Sequence, residues 1–84
     1  MTENIIINNI VVEAVVKTVD EMNNLYRQDL DMATRKPYRK GESIIVPFGK
    51  SGFTTYTKRL REKRIVRKVW RHGILRSICV CHID

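Results

Sequence analysis

Four residues near the end of the chain, His72, Cys79, Cys81 and His82, carry the side chains best suited to hold a metal ion or attack an electrophile. Structural zinc sites usually pair their ligands two to four residues apart in each half. Here Cys81 and His82 are adjacent on a stretch that reads as extended, so they face opposite ways and do not readily share an ion. Cys79 and Cys81 point the same way and stay thiols, because a bridge across two strand positions strains the backbone. A Cys–His nucleophilic pair needs an orienting third group and a pocket, and the sequence offers neither. Gly49-Lys50-Ser51 resembles the end of a phosphate-binding loop, but that motif needs four residues between its first glycine and the Gly-Lys-Ser/Thr, and Gly41 is too far away. No metal, cofactor or catalytic residue is assigned, and the chain does not read as an enzyme.

The chemistry the residues do support is anion binding. Between Lys50 and Val80 lie ten Lys or Arg residues and a single carboxylate, Glu62. The net charge of +7 hides an asymmetry. Residues 1–34 carry two cations against six carboxylates, whereas residues 35–84 carry fourteen cations against three carboxylates. A basic half on a folded domain calls for a polyanion, nucleic acid first. At 84 residues and 43% apolar composition, the chain is one small folded domain rather than a disordered tail.

The elements that would position these cations divide into three segments. Residues 1–34 read as an acidic amphipathic helix from about Asn9 to Thr34. Val12, Val15, Val19, Met22 and Tyr26 recur at spacings of three and four, and Asn8 or Asn9 serves as N-cap. The β-branched run from Ile5 to Val16 leaves a hairpin turning at Asn8–Asn9 as the alternative. Residues 35–42 form a basic linker, with Pro37 ending the helix and Tyr38 free to stack on a base. Residues 43–84 read as strand, helix and hairpin: a strand Ser43–Phe48 that Pro47 places at an edge or ends, a basic helix from Gly52 to Lys63 capped by Ser51, and a hairpin of Ile65–Arg71 and Ile74–His82 turning at His72-Gly73. The expected fold class is therefore α+β.

Thr55, Leu60, the run Glu62 to Lys68 and the hairpin through Gly73 resemble the C-terminal half of a winged helix-turn-helix DNA-binding domain. That resemblance covers residues 50–82 only. It implies that Thr54, Thr55, Lys58 and Arg61 face a DNA groove, and that Arg67, Lys68, Arg71, His72 and Arg76 serve the wing. Arg39, Lys40, Lys50, Arg59 and Lys63 complete the expected phosphate contacts. With six to eight such contacts, log–log salt dependence has a slope of about −5 to −7.

The expected function is a small nucleic-acid-binding regulator of transcription or replication, with duplex DNA favoured and RNA as a further target. Tyr38 or Trp70 could stack on unpaired RNA bases. The second class is an inhibitor or adaptor of viral or mobile-element type that docks on a host protein or a protein–RNA complex. A homodimer through the 9–34 helix is a further expectation, because its apolar stripe is wider than one small element covers. Neither a signal peptide nor a membrane span is read from Ile5–Val16, so the expected location is the cytoplasm, at the nucleoid or in a host cell's cytosol.

Overall fold

The computed structural model describes residues 1–83. Seven strands, β1 (Thr2–Ile7), β2 (Ile10–Val16), β3 (Tyr38–Lys40), β4 (Ser43–Phe48), β5 (Gly52–Arg59), β6 (Arg64–Arg71) and β7 (Ile74–His82), surround one helix, α1 (Val19–Met32). They form a single sheet in the order β1-β2-β7-β6-β5-β4-β3. Every neighbouring pair is antiparallel except β2 and β7. The crossover that a parallel pair requires is everything from α1 to β6.

The expected long helix and winged-helix architecture are overturned by this arrangement. Ile5 to Val16 is a hairpin turning at Asn8–Asn9, whose φ angles of 50° and 65° suit a two-residue turn with both central residues left-handed. The β-branched composition prevails over the three-four spacing, which continues only through Val19, Met22 and Tyr26 on α1. The helix is capped by Thr18 instead of Asn8 or Asn9. Its hydroxyl accepts from the Glu21 amide at 3.1 Å, while the Glu21 carboxylate accepts from the Thr18 amide at 3.0 Å, a reciprocal capping box. A dimer through a 9–34 helix has no basis, because the proposed seam is divided between a strand and a helix.

The basic helix is also a strand. Gly52–Arg59 is β5, fully paired with β4 on one side and β6 on the other. Phe53, Thr54, Thr55, Tyr56 and Thr57 are β-branched or aromatic and favour a pleated, buried surface. The sheet buries both faces of this segment, so the clean two-residue alternation that marks a half-exposed strand is absent. The hairpin at His72-Gly73 forms as expected, with φ of 53° and 73°. Pro47 lies in β4, which β3 flanks only as far as Ile45. Beyond that point the Pro47 carbonyl accepts from the Thr34 amide at 3.0 Å.

The sheet has a helix face and an open face. On the helix face, Met22 packs with Val46, Tyr56, Cys79 and Cys81, flanked by Tyr26, Ile44 and Ile65. On the open face, Ile5, Ala14, Val66, Ile78 and Val80 form a second cluster. Ile5 of β1 and Val66 of β6 share that cluster although β2 and β7 lie between their strands. The sheet is thus coiled, and the β1–β2 hairpin leans over one end of the open face. No described helix is long and apolar enough to cross a membrane.

Candidate nucleic-acid interface

The register places a defined set of side chains on the open face, where Arg59, Arg64 and Lys68 border a small cleft shared with Ile5 and Ile6 of the β1–β2 hairpin. Tyr38 lies opposite Ile45, Lys40 opposite Ser43, Phe53 opposite Trp70, Thr55 opposite Lys68, and Arg59 opposite Arg64. Successive side chains in a strand alternate faces, so these residues share one side, opposite Tyr56 and α1. The Phe53 and Trp70 rings stack with centroids 6.1 Å apart and planes 16° apart. Tyr38 is exposed. The floor between them is Ile45, Thr55 and Thr57, with the Thr57 and Ser43 hydroxyls bonded at 2.6 Å.

The cations on this face lack full compensation. Arg59 and Arg64 are direct cross-strand neighbours, an arrangement that costs free energy through like-charge repulsion. Each leans toward a carboxylate, Arg59 to Glu42 at 3.9 Å and Arg64 to Glu62 at 2.9 Å. Lys68 makes no ion pair among the described residues. It is half-buried, and burial together with the nearby Arg59 charge pushes its ammonium pKa down. A phosphate arriving here would offset both the desolvation and the repulsion.

The expected site residues separate into groups. Thr55, Arg59, Lys68 and Lys40 belong to the open face. Thr54 is buried on the helix face, at 1% exposure, and cannot touch a base. Arg67 is committed to α1: its Nε and Nη2 donate to Asp29 at 2.9 and 3.0 Å, and Tyr56 also donates its hydroxyl to Asp29. Burial and the Asp29 carboxylate push the Tyr56 pKa up. Burial disfavours the charge on the Arg67 guanidinium, but its interactions with Asp29 and Tyr56 together push its pKa up. This network ties helix to sheet.

Arg39, Lys58 and Arg61 rim a cleft of about 750 Å³ on the helix face, floored by Met22, Tyr26, Tyr56 and Ile65. Lys63 sits in the β5–β6 turn with φ of 51°. Lys50 lies in the β4–β5 turn, where Ser51 Oγ and His72 Nδ1 are 2.7 Å apart. Arg71 stacks its guanidinium 5.1 Å from the Phe48 ring centre. Arg76 falls at the register shift of β7, between residues paired with Val69 and Trp70. The single surface implied by a helix and wing is therefore several.

Cys79 and Cys81 are buried beneath α1, where burial pushes the Cys81 thiol up. His82 points to the other face and meets Glu3 at 2.8 Å. No group of metal-ligating side chains gathers among the described residues. Phe53 and Arg64 were absent from the expected site. Their signal was the two-residue spacing of Phe53, Thr55, Thr57 and Arg59, which a helical reading scatters around a cylinder. Comparison with protein-family models, curated proteins and solved structures finds no match to this chain.

Proposed function

We propose that the chain binds single-stranded nucleic acid across the open face of its sheet. The observation that carries this reading is the interleaving of Tyr38, Phe53 and Trp70 with Lys40, Arg59, Arg64 and Lys68 on a face that α1 does not cover. Aromatic rings give unpaired bases a stacking platform, and cations spaced along the strands neutralise the phosphates between them. A duplex hides the base faces that such a platform uses, so single strands, RNA or DNA, are the favoured substrate class. The regulatory role expected from the sequence remains part of this proposal; the helix-in-groove mechanism does not.

Trp70 is the only tryptophan, so its fluorescence reports on the platform directly. Titration with an oligonucleotide should quench it, and single strands should compete better than duplex of the same sequence. With about four phosphate contacts, the log–log salt slope should be near −3. Trp70→Ala should weaken binding by about 1–3 kcal/mol while leaving the slope nearly unchanged. Binding that leaves Trp70 fluorescence untouched, or a duplex preference, rejects the open face as the site.

A further inference from the structure

We infer that the cleft between the first half of α1 and the β5–β6 turn binds a small amphipathic anion, a hydrocarbon chain ending in one carboxylate or phosphate group. This site lies on the helix face and does not depend on nucleic-acid binding at the open face. Its volume of about 750 Å³ falls within the roughly 300–1,000 Å³ that small-molecule sites occupy. Such sites combine apolar walls with a few placed polar groups, and both are present.

Strand register assembles the cleft from separate segments. Arg39 of β3 stands opposite Ile44 of β4, which stands opposite Tyr56 of β5. Lys58 follows two residues later on the same face of β5, opposite Ile65 of β6. Met22 and Tyr26, one helical turn apart on α1, close the other wall. The Tyr26 and Tyr56 rings meet edge to face with centroids 5.0 Å apart, and Met22 and Tyr56 are buried. The core therefore fixes this apolar floor before any ligand arrives.

One apolar wall is left in water. Leu60, the first residue of the β5–β6 turn, lines the same cleft yet is 73% exposed. A hydrocarbon chain laid on the floor covers part of that side chain, and burying apolar surface there favours binding.

Charge selects the head group. Four cations line the cleft against two carboxylates. Each carboxylate already has a cation, Glu42 with Arg59 at 3.9 Å and Glu62 with Arg64 at 2.9 Å. Arg39, Lys58 and Arg61 make no ion pair among the described residues. Guanidinium groups bind carboxylate or phosphate oxygens in bidentate pairs, so the anionic end sits at this rim and the chain on the floor. An uncharged chain would leave the rim without a counter-ion, and a cationic one meets repulsion. A nucleic-acid strand would use the rim but leave the floor of Met22, Ile44 and Ile65 without an apolar partner. It would also approach α1, which carries Asp20, Glu21, Asp29 and Asp31.

Calorimetric titration of the nuclease-treated full chain with decanoate and with decyl phosphate, both below their critical micelle concentrations, tests the proposal. Decyltrimethylammonium and acetate are the controls. Saturable one-to-one binding of at least one anion is expected, the tighter of the two naming the head group, and neither control should bind measurably. Two-dimensional NMR should show the largest shifts at Tyr26, Leu60 and Ile65, with little change at Trp70 on the other face. Arg61→Glu and Leu60→Asp, both at exposed positions, should each weaken binding at least about tenfold with an unchanged circular dichroism spectrum. If either does not fold, Lys58→Gln takes its place, with a loss of about threefold or more. Arg59 borders both this cleft and the small one on the open face, so competition with an oligonucleotide is measured directly. Absence of saturable anion binding, equal binding of the cationic control, shifts centred on the open face, folded variants that bind like wild type, or displacement of decanoate by the oligonucleotide overturns the inference.

Discussion

Lys68 places stability and binding in opposition within one side chain. Its pKa is lowered by burial and then by the Arg59 charge, so folding disfavours its protonated form. A group with a depressed lysine pKa binds fewer protons folded than unfolded, and stability rises with pH between its folded and unfolded values. At neutral pH the penalty is in force. Lys68→Met should therefore stabilise the free protein, by about 0.5 kcal/mol or less because solvent screens a half-exposed group. The gain should fade as pH approaches about 10.4, where the unfolded lysine also deprotonates. The same variant should lose one phosphate contact, flattening the single-strand salt slope by about 0.7. Urea melts at neutral and alkaline pH, with paired salt titrations, measure both effects; a destabilised variant at neutral pH would show that Lys68 is held by contacts stronger than its desolvation.

The elements that sequence reasoning recovered were those whose local signals had one interpretation. The His72-Gly73 turn and its two strands were legible because a left-handed turn between β-branched runs has few competitors. Residues 10–16 and 52–59 were not. In β2, Val12 faces the core while Val15 faces outward, yet their spacing with Val19 imitates a helical seam. In β5, Thr54, Thr55, Tyr56 and Thr57 are all buried, so period two disappears from a segment that the sheet encloses on both faces. The Arg67–Asp29 pair spans 38 positions and leaves no local trace. The cap distinguishes the two helix boundaries experimentally. Thr18→Ala should cost about 1 kcal/mol in a denaturant melt by releasing the Glu21 amide, while Asn8→Ala should leave the helix signal intact and loosen the first hairpin. A larger helix loss from Asn8→Ala would restore the longer helix.

For the whole molecule, the fold distributes its cations over both sides of the sheet, with Arg39, Lys58 and Arg61 around the helix-face cleft and a second group on the open face. α1 carries four of the chain's acidic residues, Asp20, Glu21, Asp29 and Asp31, on one side of the sheet, while Lys40, Arg59, Arg64 and Lys68 lie on the other. The fold therefore concentrates cations that the unfolded chain keeps apart, and a polyanion should bind the folded state preferentially. Ligand that binds only the native state stabilises it by RT ln(1 + [L]/Kd), about 2.7 kcal/mol at a hundred times Kd. For a domain of this size each kcal/mol moves Tm by about 4–8 °C, so a saturating single-stranded oligonucleotide should raise Tm by more than about 10 °C. Sodium chloride at matched ionic strength should raise it far less, because screening relieves the repulsion between Arg59 and Arg64 without bridging them. Differential scanning fluorimetry with an extrinsic dye separates the cases. Equal shifts from salt and oligonucleotide would mean that the open face is only a repulsive surface; a large shift from oligonucleotide alone, reduced by Lys68→Met, places the phosphate on it.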